Sequence, residues 1–145
     1  PDPSGKVAVD LGCGSGVVAA TIASRNPGVH VVCCDESYEA VESARLTVGR
    51  VTDDVDLHVT DVLDGIADAS ADLVVVNPPF HAGGARTDEV ARRMISESHR
   101  VLRHGGSFHL VANRHLDHHA AVRRTFGSVS VSASDPRFSV VTATR

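Results

Sequence analysis

The sequence of 145 residues has little of what marks a membrane, secreted or metal-stapled protein. No apolar run approaches the ~20 residues that a membrane-spanning helix needs. No basic-then-apolar leader opens the sequence, so the expected location is the cytoplasm, away from any membrane. Cysteine is limited to Cys13, Cys33 and Cys34. An odd count with two adjacent makes a poor disulfide framework, and neither a CxxC pair nor a zinc-like Cys/His spacing occurs. The three read as small buried residues of a cytosolic protein. His115, His118 and His119 cluster without cysteines or carboxylates at ligand spacing, so no metal site is expected. Repeats, low-complexity tracts and internal linkers are also absent, and residues 1–145 read as one domain.

What is present is a globular balance, 42% hydrophobic and 22% charged residues, which argues against disorder. The net charge of −4 hides an asymmetry. Residues 1–72 carry four basic against thirteen acidic residues, a net of −9, and residues 73–145 carry ten arginines against five acids, a net of +5. Seven of the nine histidines also fall in the second half. A locally basic surface attracts phosphate whatever the total charge.

Apolar β-rich segments alternate with helical ones along the chain. Strands are expected at Val7–Leu11, Val29–Cys34, Val55–Val59, Leu73–Val76 and Ser107–Val111. Between them come helices at Val17–Arg25, after a Ser37 cap with Tyr38, Val41, Ala44 and Val48 on one face, and from a Thr87 cap to about Leu102 with Val90, Met94, Ile95 and Val101 inward. His104-Gly105-Gly106 should break that third helix. A helix over Leu116–Phe126 and a hairpin-like pair, Val129–Ala133 and Phe138–Ala143 around Asp135-Pro136, complete the pattern. Strict alternation points to an α/β doubly wound, mostly parallel sheet whose ligands bind beyond the carboxyl ends of the strands.

Four polar features follow four expected strands. Asp10-Leu11-Gly12-Cys13-Gly14-Ser15-Gly16 follows the first, with GxGxG spacing rather than the GxGxxG of dinucleotide folds. Gly12, Gly14 and Gly16 suit a sharp turn that lets backbone approach a ligand. No lysine follows, which excludes a P-loop. The acidic Asp10 would repel a pyrophosphate but suits a cationic amino acid moiety. Asp35, nineteen residues after Gly16, suits a ribose diol, and Asp61 suits an adenine amino group. Asn77-Pro78-Pro79-Phe80 follows the fourth strand. The Asn77 side-chain oxygen and the Pro78 carbonyl can accept the two N–H bonds of an exocyclic amine. That aims the nitrogen lone pair and stabilises the positive charge that develops on it. Consecutive prolines fix the backbone, and Phe80 offers a face for a flipped-out base.

The glycine loop with Asp35 and Asp61 resembles the class I S-adenosylmethionine-dependent methyltransferases over nearly the whole chain. Asn77-Pro78-Pro79-Phe80 resembles the signature of the amino-methyltransferases. Together with His81, the Thr87 helix start, Arg103-His104-Gly105-Gly106 and Val111-Ala112-Asn113-Arg114-His115-Leu116, it resembles the ribosomal RNA guanine-(N2)-methyltransferases. That resemblance implies a seven-stranded Rossmann-like sheet with an antiparallel terminal strand and S-adenosylmethionine as cofactor. It implies catalytic roles for Asn77, Pro78, Pro79 and Phe80, and cofactor contacts from Asp10, Gly12, Gly14, Gly16, Asp35 and Asp61. Ribosomal RNA or a ribosomal subunit would be the partner, with Asn113 and Arg114 within reach of the RNA and His81 either a surface histidine or a substrate contact. Arg114 reads equally as a solvated loop arginine. Relatives of this kind carry an N-terminal domain that aids RNA recognition. Its absence here implies an excised catalytic domain or a minimal relative, with weak activity on naked RNA. A glutamine methyltransferase acting on release factors, a DNA adenine methyltransferase and a non-catalytic S-adenosylmethionine-binding module stay open as alternatives.

Overall fold

Val7-Ala8-Val9-Asp10-Leu11 is apolar on both faces but for one aspartate, and a strand of that kind is stable only between two helical layers. The computed structural model describes residues 5–78, 85–113 and 118–145 and places this strand near the middle of a seven-stranded sheet. The strands are β1 (Val7–Leu11), β2 (His30–Asp35), β3 (Val55–Val59), β4 (Ala71–Val76), β5 (Leu102–Asn113), β6 (Ser130–Ser134) and β7 (Phe138–Thr144). The helices are α1 (Val17–Arg25), α2 (Tyr38–Val48), α3 (Ala85–Val101) and α4 (His119–Phe126). The strand order is β3-β2-β1-β4-β5-β7-β6. The pairs among β1 to β5 are parallel, and β7 runs antiparallel between β5 and β6. The doubly wound sheet expected from the alternation is thus the observed one, and its antiparallel strand is last in sequence without being at the edge.

Side-chain alternation sorts the core into two layers. Val9 and Leu11 pack with Val74, Val76, Phe108 and Leu110 against Met94 and Ile95 of α3. Ala8, Val31 and Cys33 point the other way, onto Ala19 and Ala23 of α1 and Ala44 and Val48 of α2. Burying each of these Val, Leu or Ile side chains contributes about 1.5–3 kcal/mol. Phe108 is fully buried and stacks on Phe126, their ring centroids 4.8 Å apart, which ties α4 to the sheet. Among the described residues no helix is long and apolar enough to cross a membrane.

Three local expectations are corrected. Ser37 caps α2 as expected, its Oγ accepting from the Ala40 N–H at 3.3 Å, and Val41, Ala44 and Val48 are buried. Tyr38, expected on the same face, is 64% exposed, because at roughly 100° per residue it falls at the margin of the stripe that Val41, Ala44 and Val48 form. Helix α3 starts at Ala85, so Thr87 lies inside the first turn instead of capping it. Finally, His104-Gly105-Gly106 does not separate helix from strand. β5 starts at Leu102 and runs through it, and the surplus residues are absorbed by a register shift between Ala71↔Leu102 and Leu73↔Ser107. Gly105, at φ +80°, takes the backbone conformation that this bulge requires.

A cleft of about 810 Å³ opens at the amino-terminal ends of the strands, where Lys6, Arg25, Leu73 and Gly106 line it. It lies across the sheet from the polar strand ends described next.

Candidate active site

The strand order reverses between β1 and β4, and at that switch point the carboxyl ends of β1, β2 and β4 converge. Gly12, Gly14 and Gly16 all adopt left-handed backbone, at φ +74°, +51° and +78°, a region that non-glycine residues enter only at a cost. Their surroundings differ. A Cβ on Gly12 would lie 2.8 Å from the Asn77 carbonyl oxygen, and one on Gly16 would lie 2.7 Å from the Ala44 Cα. A Cβ on Gly14 would meet nothing within 4 Å. Two of the glycines therefore permit close packing of protein on protein, and the third opens onto free space above the sheet.

Hydrogen bonds fix the loop. The N–H groups of Gly12 and Cys13 donate to the Cys34 carbonyl at 2.9 and 3.1 Å, and that of Gly16 donates to the Cys13 carbonyl at 2.8 Å. Asp35, the last residue of β2, bridges two segments. Its Oδ2 accepts from the Gly14 N–H and its Oδ1 from the Ser37 N–H, both at 3.0 Å. Asp10 lies under the loop at 1% exposure, and its Oδ2 accepts from the Ala19 N–H at 3.0 Å. It thereby caps α1 from the strand, since Gly16 at the N-cap has no side chain to offer. Burial pushes the Asp10 carboxyl up to about 6, against the Ala19 N–H that favours its charge, and the nearby Asp35 charge adds to the rise. The three thiols are buried and free. Burial pushes Cys34 up to about 12, and contact with Cys33 together with burial raises Cys13, so neither is a thiolate nucleophile at neutral pH.

The Asn77 N–H donates to the Leu11 carbonyl at 3.2 Å, which joins the end of β4 to the start of the glycine loop. The Asn77 residue is exposed and Pro78 is buried. Pro79, Phe80 and His81 lie outside the described residues, as does Arg114. Asp61 stands on the same rim, two residues beyond β3, exposed and held by both Nη atoms of Arg93, at 3.0 and 3.4 Å. The next residue, Val62, is buried with φ +57°, a strained conformation for a β-branched side chain. Asn113 ends β5 half-buried, in register with Phe138 of β7.

The structure thus brings Asp10, Gly12, Gly14, Gly16, Asp35 and Asn77 into one cluster, with Asp61 and Asn113 on the same rim to either side. Sequence reasoning missed the Ser37 N–H, which an Asp35-x-Ser37 reading could have found. It also missed Arg93, which meets Asp61 across 32 residues with no local signal.

Comparison with known proteins agrees with this fold. The model of the family described as "Methyltransferase small domain" matches residues 1–142. A protein of Pseudoalteromonas atlantica named ribosomal RNA large subunit methyltransferase G is 40% identical over 99% of this chain and 40% of its own length. Its namesake in Streptomyces avermitilis is 45% identical over 94% of this chain and 36% of its own. The chain therefore spans about two fifths of the length of these relatives. Among solved structures, a T. thermophilus 16S rRNA N2 methyltransferase, in complex with AdoMet and guanosine, superposes with a TM-score of 0.85 at 27% identity, over 97% of this chain and 38% of that one. With a family model matched from residue 1 to 142 and the loop, acidic strand ends and Asn77 gathered at one switch point, the chain belongs to the methyltransferase small domain family.

Proposed function

We propose that this chain is the catalytic part of an S-adenosylmethionine-dependent methyltransferase of ribosomal RNA, acting on an exocyclic amine, the 2-amino group of a guanine. One observation carries the reading. Asn77 and the glycine loop are built against each other, through the Leu11 carbonyl and through the contact that only a glycine at position 12 allows. A cofactor held by the loop and an amine held by Asn77 are therefore neighbours by construction. The named activities of the relatives support the choice of ribosomal RNA over a DNA base or a protein amide.

The residues present fit the cofactor. Gly14 offers bare backbone to open space. Asp35 keeps a lone pair on each oxygen after its two N–H contacts, enough for a ribose diol. The buried Asp10 sets a negative field under the loop, suited to a cationic amino acid end. Asp61 would meet the adenine amino group. When bound, the cofactor supplies a methyl group made electrophilic by a sulfonium. Asn77 and the Pro78 carbonyl accept the N–H bonds of the target amine, orient its lone pair and stabilise the charge that develops on nitrogen. Pro79 would stiffen that segment, Phe80 would stack on the base, and His81 and Arg114 would lie on the RNA side with Asn113. The expected compartment is the cytoplasm, and RNA recognition would draw on sequence beyond the two fifths of the relatives that this chain matches.

The test is Asn77→Ala. Turnover, read as methylated guanosine in RNA digests by mass spectrometry, should fall by about 10²–10³-fold, with S-adenosylhomocysteine affinity within twofold of wild type. Equal losses in both would refute the role given to Asn77. A methylated release-factor peptide in place of methylated nucleoside would refute the substrate.

A further inference from the structure

The hairpin between β6 and β7 lies outside the site as described, yet topology carries it to the same rim. β4 and β5 are in register at Val76↔Leu110, and β5 continues to Asn113, opposite Phe138. Adjacent strands are roughly 4.8 Å apart and rise roughly 3.3 Å per residue, which sets the start of β7 about 12 Å from the Asn77 backbone, sideways and outward. A base held at Asn77 hangs from a sugar and phosphate that must lie outward of the strand ends, the direction in which this hairpin projects.

The hairpin tip is stiff and carries an exposed cation. Asp135 Oδ1 accepts from the N–H groups of both Arg137 and Phe138 at 2.7 Å, and the Asp135 N–H donates to the Phe138 carbonyl at 2.8 Å. The Arg137 guanidinium lies 6.0 Å from the centroid of the Phe138 ring, an aromatic surface that orients it without neutralising it. Of the other arginines of the second half, Arg92, Arg123 and Arg124 are exposed on α3 and α4 rather than on this hairpin, and three more are committed. Arg93 is paired with Asp61, Arg100 with Glu97 and Asp68, and Arg103 with Asp72. Arg137 forms no ion pair among the described residues and is exposed. An exposed guanidinium without an ion pair among the described residues, on a hydrogen-bonded turn at the rim of the strand ends, matches the planar bidentate geometry of a phosphate.

We propose that Arg137 is a phosphate-binding residue for single-stranded RNA, taking a backbone phosphate of the target nucleotide or of its immediate neighbour. It is a positioning residue: it holds the strand so that the base reaches Asn77 and takes no part in methyl transfer. This inference rests on the RNA reading above, and the experiment separates the two.

The probe is an RNA hairpin with a guanine in its single-stranded loop, titrated with the full chain over a range of KCl. Arg137→Ala should weaken RNA binding about five- to tenfold at low salt and make the log–log salt dependence shallower by about 0.7, the contribution of one single-strand phosphate. Arg137→Lys should keep most of the slope, and Arg137→Glu should weaken binding further than Ala. S-adenosylhomocysteine affinity, thermal midpoint and binding of free guanosine, which has no backbone phosphate, should not move. Unchanged affinity and slope in Arg137→Ala, with wild type binding RNA, would overturn this inference alone. Loss of RNA and S-adenosylhomocysteine binding together would overturn it in favour of a structural role. Absence of salt-dependent RNA binding by wild type would overturn both it and the RNA reading.

Discussion

At the scale of single residues, Asp10 sets stability against binding. Its carboxyl titrates at about 6 in the fold, above its ordinary 3.8, because burial outweighs the Ala19 N–H. Between those two values the folded chain holds a proton that the unfolded chain has released, so stability from this group is greatest at low pH and declines as pH rises through the window, by about 3 kcal/mol in all. Asp10→Asn keeps an oxygen for the Ala19 N–H and removes the titration. The difference in thermal midpoint between pH 5 and pH 7.5 should therefore shrink in this variant, while its affinity for S-adenosylmethionine falls. In wild type that affinity should weaken as pH drops below about 6, where the carboxylate that attracts the cation becomes neutral. A variant with the wild-type pH profile would show that another group titrates. The three glycines give a second residue-scale prediction. Gly16→Ala drives a methyl into the backbone of α2 and should cost about 2–4 kcal/mol in urea denaturation. Gly14→Ala meets no protein atom and should cost only about 1 kcal/mol for its left-handed backbone, yet of the two it should lose more cofactor affinity per unit of stability lost. The glycine loop and Asp35 were legible in the sequence because their spacing is local. The different duties of the three glycines were not, since Asn77 and Ala44 are brought to them only by the fold.

At the scale of elements, Arg100 joins the α3 helix to the loop behind Asp61, beyond the point where Arg93 holds Asp61 itself. Arg100, in its last turn, donates to the carbonyls of Leu63 and Ile66 at 3.1 and 2.8 Å and pairs with Glu97 and Asp68. The hydrogen bonds of Glu97 first and Asp68 second hold its guanidinium charged well above the usual arginine range. These contacts brace the segment in which Val62 is held at positive φ. Arg100→Ala strands two carbonyls and should lower stability by about 2 kcal/mol, with Arg100→Lys recovering only part, because an ammonium does not reproduce the forked geometry. An unchanged denaturation midpoint in Arg100→Ala would mean that the buried Leu63 alone anchors the loop. Two elements with a local start signal were read correctly. Val17–Arg25 has its bounds to the residue, and Ser37 caps α2. Thr87 carried an equally good local signal and failed, since α3 starts two residues earlier. Gly105-Gly106 was read as a stop when it is a bulge, because a bulge is defined by the partner strand, here β4, and nothing near the two glycines in sequence announces it.

At the scale of the molecule, the charge asymmetry of the sequence becomes an asymmetry in space. The strand order puts β1, β2 and β3 on one side of the switch point and β4, β5, β7 and β6 on the other, so the acidic and basic halves fall largely on two flanks of the sheet, meeting where Asp61, Asp68 and Asp72 pair with Arg93, Arg100 and Arg103. Alternation alone made the fold class readable. The flank assignment needed the strand order, which rests on contacts between residues far apart in the chain. The two proposed ligands sort onto these flanks by sign. On the proposed reading, the cationic amino acid end of the cofactor would face the acidic flank, where Asp10 and Asp35 are fixed at short range by backbone hydrogen bonds. The polyanionic RNA would face the arginine-bearing flank across solvent. Short-range buried interactions are screened little by salt, whereas phosphate contacts release counterions. Raising KCl from roughly 50 to 200 mM should therefore leave cofactor affinity nearly unchanged and reduce RNA affinity at least tenfold, if three or more phosphates are neutralised. Calorimetry for the cofactor and fluorescence anisotropy for the RNA measure both on one preparation. Parallel salt dependence of the two would mean that both ligands respond to one diffuse field, and the division of the sheet into a cofactor flank and an RNA flank would then have no energetic meaning.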